Sequence, residues 1–164
     1  ADIPAIYQLN AAAFGSDAEA RLVDALRANG ALLLSLVAEA DGELVGHIAF
    51  SPVVIDSEAS SLVGVGLAPL AVAPLNQRQG AGSKLVEEGL RRLRSAGHRW
   101  CVVLGHADYY PRYGFVLART HGIRWEKPVP DNIFAAQLGV HTRLRCDDRL
   151  RPWAIWSTTE VRNG

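Results

Sequence analysis

The chain has 164 residues, 17 basic and 17 acidic, for a formal net charge of zero. Its hydrophobic fraction of 49% and mean hydropathy of +0.06 fit a compact domain with a real core, and exclude a disordered or fibrous chain. Balanced charge excludes a general attraction to nucleic acid or membrane surfaces, no apolar run reaches the roughly eighteen residues of a membrane span, and two cysteines, Cys101 and Cys146, are too few for a disulfide scaffold.

No signal-peptide pattern opens the sequence, and the cytoplasm is the expected compartment. Methionine is absent even at position 1, which suggests a chain that begins inside a longer one. Asp2 precedes Ile3-Pro4 as an N-cap with proline in the first turn, and Ile6, Leu9, Ala13 and Phe14 continue at helical spacing to Gly15. Ser16-x-x-Glu19 has the form of a capping box. Leu22, Val23 and Leu26 then stripe a second helix that Asn29-Gly30 stops. Ala31 to Ala40 reads as a strand, Asp41-Gly42 as a hairpin turn, and Glu43 to Ile55 as a second strand that Pro52 should end or place at an edge. Ser57 to Ser61 reads as a loop. Val63 to Val72 is a third strand, in which Gly64, Gly66 and Pro69 point to a bulge or a close ligand approach.

The most informative stretch comes next. After Val72 and Pro74 stands Gln77-Arg78-Gln79-Gly80-Ala81-Gly82-Ser83, then an amphipathic helix striped by Leu85, Val86, Leu90 and Leu93 and stopped at Gly97. Strand, glycine-rich turn and helix together make an anion cradle. The first helical N–H groups point outward at the positive end of the dipole, and glycine lets a phosphate approach the backbone. A P-loop needs a different lysine position and an earlier glycine, and a Rossmann fingerprint needs glycine where Leu85 stands. Beyond the cradle, Arg99 to Leu104 is a short strand, Gly105 to Arg112 a turn or short helix, and Gly114 to Leu117 the start of another strand. Pro128, Pro130 and Asp131-Asn132 mark a loop before Ile133 to Leu138. The signal is poor from Gly139 onward, where Trp153 and Trp156 should cover core or an interface. The tally is a mixed α/β (α+β) fold: a mostly antiparallel sheet with helices on both faces and one parallel strand–helix–strand unit.

Gln77-x-x-Gly80-x-Gly82, after a strand ending in Val72-x-Pro74, resembles the pyrophosphate signature of the GNAT superfamily of acetyl-CoA-dependent N-acetyltransferases. A second landmark lies downstream, where Tyr110-x-x-x-Gly114-Phe115 matches the family's Y-x-x-x-G-F. The hairpin with Gly46-His47-x-x-Phe50-Ser51-Pro52 is similar to one branch of that family. The likeness covers roughly residues 2 to 138, leaving 139 to 164 as a divergent end of one expected domain. The family also has one more strand at its start.

The resemblance implies acetyl transfer from acetyl-CoA to a primary amine of a small molecule or peptide, directly and without a metal. It implies that backbone at Leu70, Ala71 and Val72 pairs with the pantetheine arm and polarises the acetyl carbonyl. The amides of Gln79, Gly80, Ala81, Gly82 and Ser83 would hold the pyrophosphate, with the side chains of Gln77 and Arg78 assisting. Tyr110 would be the general acid to the departing sulfur. The base is open: the third strand carries no acid, and His106 and Asp108 stand as candidates, as do His47 and Glu39, each with an ordinary structural or solvated reading beside it. The five histidines show no ligand spacing. Expected partners are acetyl-CoA and an amine, with neither nucleic acid nor membrane, and a homodimer is left open. The rival class is a non-catalytic acyl-CoA-binding module on the same fold. A nucleotide-binding domain is disfavoured by the misplaced lysine.

Overall fold

A computed structural model describes residues 2–56, 61–125, 129–130, 134–138 and 153–155. The expected loop at 57–60, the turn at 131–132, Cys146 and Trp156 lie outside the described residues. The elements in order are α1 (Ile3–Phe14), α2 (Ala18–Ala28), β1 (Leu34–Ala40), β2 (Glu43–Asp56), β3 (Ser61–Val72), α3 (Ala81–Ser95), β4 (Trp100–Leu104), β5 (Val116–Leu117), β6 (Phe134–Leu138) and β7 (Trp153–Ile155). Short 3-10 turns occupy Pro74–Asn76, Tyr110–Tyr113 and Ala118–His121. β1 pairs antiparallel with β2, β4 with β6, β6 with β5, and the last residues of β2 with β7. β3 lies beside β2 on one side and β4 on the other. β3 and β4, joined through α3, form the parallel pair of an otherwise mostly antiparallel sheet, as the strand–helix–strand pattern requires. No helix among the described residues is long and apolar enough to cross a membrane.

The chain divides into two compact units. The first comprises Ala1–Ser51 and Leu67–Leu93. Within it β2 alternates its faces. Ala49 joins Ile6 of α1 and Val23 of α2 in one cluster, while Phe50 points the other way onto Gly89 of α3, where a Cβ would meet its ring at 2.5 Å. Helices therefore cover both faces of this part of the sheet. The hairpin turn is as the sequence predicts, with Asp41 and Gly42 both at positive φ (53° and 81°), the pair of angles a two-residue type I′ turn needs.

The second unit comprises Pro52–Gly66 and Arg94–Gly164. Val53, Trp100, Val102, Ala118, Ile123 and Ala136 form its core. Gly64 explains itself here: a Cβ would collide with the Trp100 indole. The close approach expected at this glycine is therefore made by a tryptophan of the chain, not by a ligand.

One sequence expectation narrows and one changes. Pro52 does not end β2 but lies at an edge, the other placement the sequence allows. The strand runs through it because β1 pairs only as far as Phe50 and β7 pairs only from Val54, so proline sits where this edge asks for no backbone donor. The capping box at Ser16 does not form either. α2 starts at Ala18 with Asp17 as its cap residue, and Ser16 Oγ instead donates to the Glu19 carboxylate at 3.2 Å. The Asp17 carboxylate is taken by Arg21 (2.5 Å) and Tyr7 (3.4 Å) rather than by helical N–H groups.

Candidate functional site

In the first unit the end of β3 passes into the glycine-rich turn. Ala71 is buried, and Leu70 and Val72 are half-buried. Ala73 N–H donates to Val45 O (2.9 Å), which ties the strand end to β2. Two glutamines brace the loop beyond it: Gln77 Nε2 donates to Val72 O (3.2 Å) and Gln79 Nε2 to Leu75 O (2.9 Å). The motif alone would have Gln77 assisting a phosphate. Its amide nitrogen is instead bonded back to the strand end, shaping the loop.

Arg78 is held at φ 61° and Gly80 at φ 92°. Gly80 has open space where a Cβ would stand, so its glycine is required by backbone angle rather than by crowding. The helical ladder of α3 begins with Lys84 N–H to Gly80 O (3.0 Å), which leaves the N–H groups of Ala81 and Gly82 ahead of the first intrahelical bond. Gln77 to Gly80 are exposed, as is Lys84, so the turn offers backbone dipoles and two cations to solvent. The nearby Glu88 is held by Arg91 and Arg92, both at 2.7 Å, and their hydrogen bonds keep its carboxyl well below the usual range. Its charge is thus met within its own helix.

In the second unit the β4 strand runs out at Leu104 into Gly105, and His106 O accepts the Tyr109 N–H (3.1 Å) to form a turn. The 3-10 turn Tyr110–Tyr113 comes next, closed by Gly114 at φ 85°. Tyr110 is buried and packed against three things. A Cβ on Gly105 would strike its ring, Tyr109 meets it edge-on at 5.1 Å, and Phe115 lies at 5.6 Å. Burial first, then the neighbouring Tyr109, Cys101 and Tyr113, push the Tyr110 phenol well above its ordinary pKa. The Arg112 guanidinium covers the Tyr109 ring at 4.8 Å. Gln137 of β6 donates from Nε2 to Tyr113 O (2.5 Å).

His106 and Asp108 sit on this same turn, both exposed. The structure thus brings Tyr110, His106 and Asp108 onto one short segment. His47 is elsewhere and is buried. Its Nδ1 lies 3.0 Å from Asn10 Nδ2 and its Nε2 3.0 Å from Ser35 Oγ, and Asn10 Nδ2 also donates to Ile6 O (2.8 Å). Since Asn10 donates to Nδ1, the ring carries its proton on Nε2 and gives it to Ser35. Burial, with Arg27 a lesser cause, lowers the His47 pKa to about 4. A neutral imidazole with both nitrogens engaged is a scaffold group, and this removes His47 from the base candidates. Glu39 is exposed on β1. Cys101 is buried with its thiol pushed up, the state of an inert core residue. The sequence does not single out Gln137 or Gly105. Gly105 carries a faint signal, a glycine directly after a strand and five residues before the motif tyrosine; Gln137 carries none.

The family model for the acetyltransferase (GNAT) domain matches residues 32–117, which span both units. The N-acetyltransferase YhbS of Escherichia coli K12 is 44% identical over 134 residues, 81% of this chain and 79% of its own. The crystal structure of E. coli YhbS in complex with CoA superposes with a TM-score of 0.77 at 42% identity, covering 84% of this chain and 76% of that one. A GNAT acetyltransferase of Brucella melitensis, solved in complex with acetyl-CoA, gives a TM-score of 0.69 at 41% identity, covering 84% of this chain and 81% of that one. With the family pattern matched over half its length and two long alignments above 40% identity, this chain belongs to the GNAT family of acetyltransferases.

Proposed function

We propose that the protein moves an acetyl group from acetyl-CoA directly to a primary amine of a small molecule or peptide, within a single acetyltransferase domain. The observation that carries this reading is the glycine-rich start of α3 at Gly80 to Gly82, in a chain 41% identical to a relative solved with acetyl-CoA. On this reading the amides of Gln79 to Ser83 hold the pyrophosphate. Arg78 adds charge, and Gln77 and Gln79 keep the turn in shape. Backbone at Leu70, Ala71 and Val72 pairs with the pantetheine arm. One N–H there polarises the acetyl carbonyl, an oxyanion role worth roughly 3 kcal/mol.

The reaction forms one C–N bond and breaks one C–S bond. The amine loses a proton and the sulfur gains one, so the balance needs a donor and an acceptor but no oxidant. Tyr110 is assigned as the donor. An ordinary phenol titrates near 10 and a thiol near 8.5, and burial lifts Tyr110 further, so full transfer to a free thiolate is uphill by at least roughly 2 kcal/mol. Tyr110 therefore stays protonated and donates a hydrogen bond to the sulfur as charge builds there. The proton that the amine sheds makes the exchange complete. His106 and Asp108, exposed beside Tyr110, are the proposed routes for that proton.

A thermal-shift comparison of acetyl-CoA, CoA, ATP and NAD tests the cofactor. At a hundredfold excess over Kd, acetyl-CoA should add about 2.7 kcal/mol and raise Tm by roughly 5 to 10 °C. Stabilisation by ATP or NAD alone would overturn the assignment. CoA thiol release against a panel of primary amines then tests the transfer, and binding without release would identify an acyl-CoA-binding module instead.

A further inference from the structure

Tyr110 stands on a single 3-10 turn of four residues, too short to hold its own shape. The entry to that turn is fixed by Gly105, whose missing side chain makes room for the phenol ring. The exit is fixed from far away in sequence. Carbonyls at the end of a short helix have no helical partner, and the one at Tyr113 is met by Gln137 Nε2, 24 residues on. Gln137 lies on β6, in register with Cys101 of β4, the strand that leads into the turn. The same amide lies against Gly114: a Cβ there would stand 3.0 Å from Gln137 Nε2. Gly114 is favoured by its positive φ, and any side chain there would press on the amide above it. Gln137 itself lies beyond residue 117, where the family match ends.

We propose that Gln137 is a positioning residue for the transfer reaction: by capping the Tyr113 carbonyl and covering Gly114, it fixes the turn that aims the Tyr110 hydroxyl. The inference rests on the assignment of Tyr110 as hydrogen-bond donor to the departing sulfur. Gln137 touches neither sulfur nor amine in this scheme. It acts through the backbone of the turn, so its loss should change turnover and leave cofactor binding alone.

Gln137→Met keeps length and volume and removes the donor. Gln137→Glu keeps shape and sets an acceptor against the carbonyl, and it is read in the same way should the Met variant fail to fold. With 13C-labelled tyrosine the four tyrosines give separate ring signals, and Tyr110→Phe identifies the one that matters. Gln137→Met should move the Tyr110 signal while that of Tyr7 stays in place. Assayed by CoA release from acetyl-CoA with the best acceptor from a polyamine, benzylamine and a peptide with a free N-terminus, kcat should fall about tenfold, as a small misplacement of a reacting group predicts, with KM for acetyl-CoA unchanged. In a Tyr110→Phe background the same substitution should cost nothing further. An unmoved Tyr110 signal overturns the positioning, and a loss that multiplies with that of Tyr110→Phe overturns the route through Tyr110. Wild-type turnover in Tyr110→Phe alone would overturn the donor assignment instead, a separate and recognisable failure.

Discussion

The two glycine-closed turns of this acetyltransferase are built in opposite ways. The turn before α3 is exposed and made of backbone: Gln77 and Gln79 brace carbonyls four or five residues back, and Gly80 opens the helix. The turn after β4 is made of rings and buries one of them, with Tyr109, Phe115 and Gly105 boxing Tyr110 and a distant glutamine holding its end. A site for a phosphate can be local because amide dipoles at a helix start come ready-made. A donor ring needs walls on several sides: Gly105, Tyr109 and Phe115 supply them from within five residues, and Gln137 reaches in from far along the chain to hold the end of the turn.

The largest effect should come from removing the donor. Tyr110→Phe keeps the ring against Gly105 and Phe115 and deletes only the hydroxyl. We expect kcat to fall by roughly two to three orders of magnitude, the usual worth of a positioned acid, with KM for acetyl-CoA within about twofold of wild type. Steady-state kinetics decide the matter. A raised KM with normal kcat would mean that both turns serve binding, and the contrast between them would collapse.

The same contrast explains what is legible without coordinates. The cradle can be read from sequence because each of its determinants lies within a few residues of the next. Tyr110, Gly114 and Phe115 are legible by spacing alone, but Gln137 is not, since a side chain reaching a carbonyl 24 positions away leaves no periodic trace. Gly64 reads as a bulge or a ligand approach because sequence cannot tell an approaching ligand from an approaching Trp100. Pro52 reads as a strand end or an edge residue, and the sequence cannot choose because it does not show where β1 stops pairing and β7 begins. His47 looks like a candidate base until Asn10 and Ser35 are seen on its two nitrogens.

His47 gives the next prediction, and it concerns the scaffold in the cradle's own unit. Its pKa is depressed from 6.5 to about 4 in the folded state, so between those values the unfolded chain binds a proton that the folded one refuses. Stability should therefore be full above about pH 6.5 and fall as pH drops towards 4, by up to about 3 kcal/mol. Urea midpoints measured across that window check it, and His47→Gln, though less stable overall, should flatten the slope. If acidification weakens CoA binding in the wild type and not in this variant, the weakness lies in the scaffold and not in the turn itself. An unchanged slope would remove His47 as its source.

A smaller effect is expected at Gly80. Alanine meets no atom there, so the cost is the left-handed backbone alone, roughly 1 to 2 kcal/mol. Because the residue also starts α3, Gly80→Ala should weaken CoA binding, as read by isothermal titration, and leave kcat at saturating acetyl-CoA near wild type. This is the mirror image of Tyr110→Phe. A matching loss of kcat would show that the cradle also takes part in the chemistry.

The smallest effect is expected one step earlier, at Arg78, where two backbone costs nearly cancel. A non-glycine residue at φ 61° carries roughly 1 kcal/mol of strain that glycine would relieve, yet glycine also frees the unfolded chain by roughly 0.4 to 1 kcal/mol. Arg78→Gly should therefore leave the unfolding midpoint almost unmoved. The substitution does remove an exposed cation beside the helix start, and an exposed charge is worth roughly 0.2 to 1 kcal/mol. CoA should bind about twofold to fivefold more weakly, and the salt dependence of binding should become shallower because screening has one fewer charge to act on. Affinities at low and moderate salt test this. If the variant binds as tightly as wild type at both, Arg78 serves only to shape the turn, and the cradle is then a backbone site without side-chain help.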